Sequence, residues 1–139
     1  MARHPIETAL KGITRLGLAA FMLMAGIGHF RSTESFRAQV PPFLPNIDMI
    51  IYVSGVFEIG IALGLVLLPR WRTQLGWALA AFYVVIFPGN ISQYLTQTSA
   101  FGLDTDAARA TRLLFQPVLI VLALWSTNAW KSWRSRRRR

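Results

Sequence analysis

Cysteine is missing from this 139-residue chain. Its absence excludes disulfides, thiolate catalysis and Cys-ligated clusters, and leaves the redox compartment unread. Acidic residues are scarce, six against fifteen Lys and Arg. Histidine is scarcer still. His4 and His29 are too few for a His-based metal centre without carboxylate help, and no metal set is expected. Linkers, internal repeats and low-complexity inserts are lacking apart from a basic C-terminus. One small domain accounts for the length.

What fills the chain instead is apolar. Hydrophobic residues make up 53% of it and gather into four blocks, with charge mostly between and after them. That is the pattern of a polytopic membrane protein. The spacing predicts spans over 12–30, 47–68, 75–95 and 112–130. The first apolar stretch begins after Lys11, contains Arg15 and lacks a small-x-small exit. It reads as a permanent span rather than a cleavable signal peptide. Pro69 ends the second span, and the short loop to Leu75 makes spans two and three antiparallel neighbours. Pro88 and Gly89 interrupt the third span near its end, where it kinks or stops.

Lys and Arg counts orient the spans. One side carries Arg3, Lys11, Arg15, Arg70, Arg72, Lys131, Arg134 and the four arginines 136–139, eleven in all. The other carries Arg31, Arg37, Arg109 and Arg112. The positive-inside rule puts both termini in the cytoplasm, with Trp71, Trp77, Trp130 and Trp133 at the same headgroup layer. The expected fold is all-α, an integral membrane four-helix antiparallel bundle with an outer Pro-rich loop. Residues 1–130 form the four-span domain and 131–139 a basic cytoplasmic tail. In the outer loop, prolines 41, 42 and 45 exclude regular helix. Phe36, Val40, Phe43 and Leu44 place this segment on or in the outer mouth.

Glu58 carries the most information. It lies in the middle of the apolar run 49–68, where an acidic residue costs roughly 2.5–3.5 kcal/mol. A carboxylate so placed faces a site or a partner rather than lipid. With a rise of about 1.5 Å per residue as a ruler, Glu58 falls near the midplane, Asn90 and Gln116 roughly 8–9 Å outward, and His29 about 13 Å outward. Arg112 lies one turn beyond Gln116, and Arg109 continues that stripe. The ruler separates His29 from Glu58 too far for shared ligation. Ser54, Gly55, Glu58 and Ala62 share the inward face of the second span. Val56, Ile59, Leu63, Val66 and Leu67 suit lipid. Pro88 and Pro117 each free a carbonyl one turn back, at Val84 and Leu113.

Each feature also has a plainer reading. Glu58 could be a protonated carboxyl hydrogen-bonded across helices. Asn90 and Gln116 could be interhelical glue, at about 0.6 kcal/mol per hydrogen bond. Phe82, Tyr83 and Phe87 read as packing. The tail starts within a few residues of the last span, so topology and anionic lipid explain it better than nucleic acid.

Five short motifs resemble the DoxX-like family of small four-helix bacterial membrane proteins over about residues 15–125. They are Ala25-Gly26-Ile27-Gly28-His29-Phe30, Val40-Pro41-Pro42-Phe43-Leu44-Pro45, Tyr52-Val53-Ser54-Gly55-Val56-Phe57-Glu58-Ile59, Phe87-Pro88-Gly89-Asn90-Ile91 and Arg112-Leu113-Leu114-Phe115-Gln116-Pro117. The resemblance implies a bacterial inner membrane and, in some relatives, a membrane redox system. Gly89 stands where such sequences carry Ala, a departure that reads as small. The absence of Cys excludes thiol–disulfide chemistry by the chain itself.

The leading expectation is an outward-facing polar pocket for a small lipophilic or redox ligand, with a quinone as the candidate cofactor. Glu58 and His29 are the expected catalytic residues, exchanging a proton at the pocket floor and relaying it to outer water. Asn90, Gln116 and Arg112 are the expected ligand-binding residues. The alternative is a non-catalytic accessory or assembly subunit of a membrane complex. Expected partners are membrane lipids, anionic lipid at the tail, and a membrane redox partner or a second copy. A transporter is disfavoured, because four spans without an inverted repeat leave little room for alternating access.

Overall fold

The computed structural model describes residues 4–100, 102 and 104–138, so Arg3 and Arg139 of the charge count fall outside it. The described residues form six α-helices and one 3-10 turn, with no strand among them. The helices are α1 (Pro5–Arg31), α2 (Thr33–Arg37), α3 (Ile47–Leu67), α4 (Arg72–Leu95), α5 (Asp106–Ser126) and α6 (Ala129–Arg136); the turn is Pro69–Trp71. Four helical segments are long and apolar enough to cross a membrane. The chain is therefore read as a multi-pass membrane protein. Leu114, Leu67 and Val121 are well exposed on these segments, as side chains facing lipid should be.

Local chemistry explains the helix ends. Pro5 opens α1, where its missing N–H costs nothing, with Glu7 in the first turn. Thr33 Oγ1 donates to the His29 carbonyl at 2.8 Å as α1 gives way to α2. Asn46, in the left-handed region at φ 52°, turns the chain into α3. Leu68 precedes Pro69 and leaves the helical region, as a pre-proline residue tends to.

Three spans differ from expectation, and α1 is the first, beginning at Pro5 rather than at residue 12. α5 runs over Asp106–Ser126 rather than 112–130. The Thr105 hydroxyl accepts from the Ala108 amide at 3.1 Å, capping the helix six residues before its most apolar part. Asn128, left-handed at φ 59°, separates α5 from α6, so the basic tail continues as a helix of its own. α4 neither stops at Pro88 nor at Gly89 but continues to Leu95.

Helices pack most extensively in two pairs, α1 with α3 and α4 with α5. In the first pair, glycines let the backbones meet. A Cβ added at Gly26 would lie 2.7 Å from Ile59 Cγ1 and 2.9 Å from the Gly55 carbonyl. A Cβ at Gly55 would lie 2.8 Å from His29 Cβ. Ile59 therefore packs on α1 rather than facing lipid. The pairs join through a core of Leu18, Met22, Ile61, Leu65, Leu79, Tyr83, Leu119 and Ala123. Beyond it, Lys11 Nζ reaches Asn128 Oδ1 at 2.8 Å, and Gly76 accommodates the Thr127 side chain where any Cβ would collide. These contacts bring the start of α1, the start of α4 and the end of α5 to one end of the molecule.

Gly55→Ala should destabilise the protein by about 1–3 kcal/mol through overpacking. Gly60→Ala, whose Cβ would meet nothing within 4 Å, should stay within about 0.5 kcal/mol of wild type. Chemical unfolding in detergent micelles measures both.

Candidate functional site

A cavity of about 630 Å³ opens beside that core, sharing Met22, Tyr83 and Leu119 with it, away from the Lys11 end. Its walls come from both helix pairs, and the segment following α1 forms a roof over it. Phe36, Gln39, Val40, Pro41 and Leu44 line that roof, whereas Phe43 is 82% exposed and points elsewhere. Arg37 fixes the roof to α3. Its guanidinium donates to both Asp48 carboxylate oxygens, Nε to Oδ1 at 2.7 Å and Nη2 to Oδ2 at 2.9 Å, and also pairs with Glu34. This forked bond to Asp48 holds the Arg37 pKa above its ordinary value.

Gly89 has a larger part here than a small departure from Ala. The Gln39 carbonyl of the roof occupies the place where a Cβ would stand. Glycine therefore lets the roof rest directly on α4.

His29 and Glu58 meet at the cavity wall, with Nε2 and Oε2 3.6 Å apart. Both side chains are buried and both line the cavity. The ruler had separated them by about 13 Å because it gave every span the same midpoint. The Gly26–Gly55 crossing instead sets His29 beside Gly55, three residues or about 4.5 Å along the helix from Glu58. Side-chain reach closes the remainder.

The hydrogen bonds of His29 define its tautomer. Nδ1 lies 2.9 Å from the Ile51 carbonyl. A carbonyl only accepts, so we assign the hydrogen to Nδ1. In the neutral ring Nε2 then presents a lone pair to Glu58. Glu58 Oε2 is buried without a hydrogen-bond partner, and 3.6 Å is too long for one. A lone pair facing a carboxylate oxygen is two acceptors with no donor. A proton carried by either group, at His29 Nε2 or Glu58 Oε2, removes that conflict. The Phe36 ring stands edge-on to the imidazole, centroids 3.8 Å apart.

The other polar residues form a second group. Asn90 Nδ2 donates to Gln116 Oε1 at 3.1 Å. Gln116 Nε2 donates to the Tyr83 carbonyl at 3.0 Å. The acceptor is Tyr83, one residue before the Val84 carbonyl expected from Pro88. Gln116 lines the cavity, whereas Asn90 lies behind it and orients it. Arg112 lines the cavity and donates to Gln93 Oε1 at 3.4 Å. Arg109 turns to Asp106 at 2.8 Å and is not among the lining residues.

Two residues were missed from sequence. Gln93 is 1% exposed and couples Arg112 to α4. It sits three residues after Asn90, which puts both on one helix face. Tyr83, read as packing, supplies the backbone acceptor for Gln116 and lines the cavity. Its hydroxyl donates to Met22 Sδ at 3.3 Å.

The family model for Domain of unknown function (DUF8561) matches residues 18–127. The chain belongs to this family. Neither a curated protein nor a solved structure matches it. The DUF8561 stretch contains the whole cavity and every polar residue described around it. It leaves out Lys11, Arg15 and α6.

A double-mutant cycle of Asn90→Ala and Gln116→Ala should give a coupling energy of about 0.5–1.5 kcal/mol, the range of buried interhelical hydrogen bonds in membrane proteins. Unfolding of the four species in mixed micelles measures it. A value indistinguishable from zero would remove the bond.

Proposed function

We propose that this protein binds a small lipophilic molecule with a polar, redox-active head, of which a quinone is the best fit, and serves a membrane redox system. The observation that carries this reading is the cavity of about 630 Å³ with His29 and Glu58 in its wall. Its volume falls within the usual range of ligand sites, and apolar walls with few convergent polar groups are their usual composition. The residues fit a quinone head. Gln116 and Arg112 offer donors for carbonyl oxygens, while Ser54 and Glu58 stand on the facing helix. Such a group, when bound, accepts or gives electrons together with protons. The chain's part is to orient the head, exclude water and carry the exchangeable proton on Glu58 or His29. With no cysteine in the chain, the electrons come from a membrane redox partner.

The proposal includes the setting. The resemblance to the DoxX-like family supports a bacterial inner membrane. The excess of Lys and Arg on one side, eleven against four by sequence, supports both termini in the cytoplasm. The pairing of α1 with α3 and of α4 with α5 supports an antiparallel four-helix bundle. The cavity then lies in the outer half under the Pro-rich roof.

The decisive experiment is mass spectrometry of small molecules extracted from gently purified wild type and Glu58→Gln. A lipophile bound to wild type and lost from a folded mutant is the expected result. An empty wild type with a stoichiometric protein partner would replace this reading with that of an accessory subunit.

Orientation has its own check. With no native cysteine, single-cysteine labelling is direct. Ser135→Cys should react with a membrane-impermeant maleimide only after spheroplast lysis, and Ser35→Cys before it.

A further inference from the structure

We infer that a niche at the opposite end from the cavity binds a phosphate group, that of an anionic membrane lipid. The niche, about 70 Å³, is lined by Glu7, Thr8, Lys11, Arg15, Arg72 and Asn128. It is assembled from α1, the start of α4 and the hinge between α5 and α6. It shares no lining residue with the cavity.

Its cations differ in how they are satisfied. Lys11 Nζ bonds Glu7 Oε1 at 2.6 Å and Asn128 Oδ1 at 2.8 Å, and lies 5.4 Å from the centre of the Trp125 ring. That network immobilises Lys11 and largely occupies it. Arg15 and Arg72 form no ion pair with a carboxylate among the described residues. Both are half-buried, and the two guanidinium groups repel each other. The niche thus sets three cations against the single carboxylate of Glu7, in a chain with few acids to spare. An external anion completes it.

Phosphate is the anion that fits. Guanidinium groups bind phosphate oxygens through paired N–H donors. α4 begins at Arg72, so the positive end of its dipole adds to the field. A lipid is the favoured source because of where the niche lies. Trp71 directly precedes Arg72, and Trp125 lies beneath Lys11. Tryptophans at a span's end mark the headgroup layer. The arginines of α6 are exposed and attract anionic surfaces diffusely. The niche is instead a one-to-one site.

The test uses full-length protein reconstituted in vesicles of equal parts phosphatidylcholine and phosphatidylglycerol, then released into native mass spectrometry. Wild type should retain one phosphatidylglycerol. The double variant R15Q/R72Q should retain at least about tenfold less. R72E should behave likewise while keeping its fold, because its new carboxylate pairs with Arg15. R134Q/R136Q should retain lipid like wild type. In a parallel arm, inorganic phosphate is added to delipidated protein in neutral detergent. Thermal protection by phosphate on wild type and not on R72E, without a lipid adduct, would keep the phosphate site and transfer it to a soluble source. Lipid retention equal in wild type and both niche variants, with no effect of phosphate, would overturn the proposal.

Discussion

Two glycines, Gly26 on α1 and Gly55 on α3, control the distance on which the site depends. Side chains at those positions would push the helices apart, because an added Cβ has less than 3 Å to its neighbours on the partner helix. Without them, His29 Cβ fills the space over Gly55, and its ring reaches Ile51 on one side and Glu58 on the other. The crossing also fixes how far α1 slides along α3. Moving that register by one turn, about 5.4 Å, would separate the imidazole from the carboxyl and leave each buried with nothing opposite it. Backbone approach, a packing property, thereby sets the imidazole beside the carboxyl.

The buried amides Asn90, Gln93 and Gln116 have solved the low-dielectric problem by pairing. Asn90 is bonded to Gln116, Gln116 to the Tyr83 carbonyl, Gln93 to Arg112 and to the Thr98 carbonyl. An unpaired buried polar group costs about 1–3 kcal/mol, so such pairing is what a helix interior far from water demands. Glu58 Oε2, like Gln39 Nε2 in the roof, is an exception on the cavity wall. Its neighbours on α3 are of two kinds. Ile61 and Ala62 belong to the core, and Ser54 lines the cavity. The carboxyl therefore has a firmly packed backbone beneath it and open volume in front.

Hydropathy is local, so the four apolar segments were legible in the sequence. The chemical cost of a carboxylate among aliphatic residues is equally local, and Glu58 stood out for that reason. The His29–Glu58 contact was not legible. It depends on the slide of α1 against α3, which no single segment encodes, although Gly26 and Gly55 were both visible as small residues. Arg112 was placed at a span end because charge lowers hydropathy. The Thr105 cap carried the better signal, since it satisfies the first turn of α5 whatever follows. Gln93 escaped notice because a polar residue near a helix end is ordinary. Its spacing from Asn90 was the available clue. Asn90 and Gln116 were correctly read as close in depth, but depth alone could not show that one stands behind the other.

Proline is divided unevenly along the molecule, and that division explains why a cavity exists at all. The half containing Leu18, Ile61, Leu65, Leu79 and Ala123 is packed by aliphatic side chains at regular helical spacing. Pro41, Pro42, Pro45, Pro88 and Gly89 lie in the other half. Proline removes an N–H and blocks regular helix in the roof, so the roof cannot become a helix that would pack down and fill the volume. Within α4, Pro88 breaks the local ladder, and Gln116 from the neighbouring helix bonds the backbone nearby at Tyr83. Gly89 then lets the roof carbonyl of Gln39 rest on α4 without a side chain between them. The same residues that prevent close packing thus hold the opening at a defined height above Glu58, and the tightly packed half keeps the carboxyl from moving away beneath it.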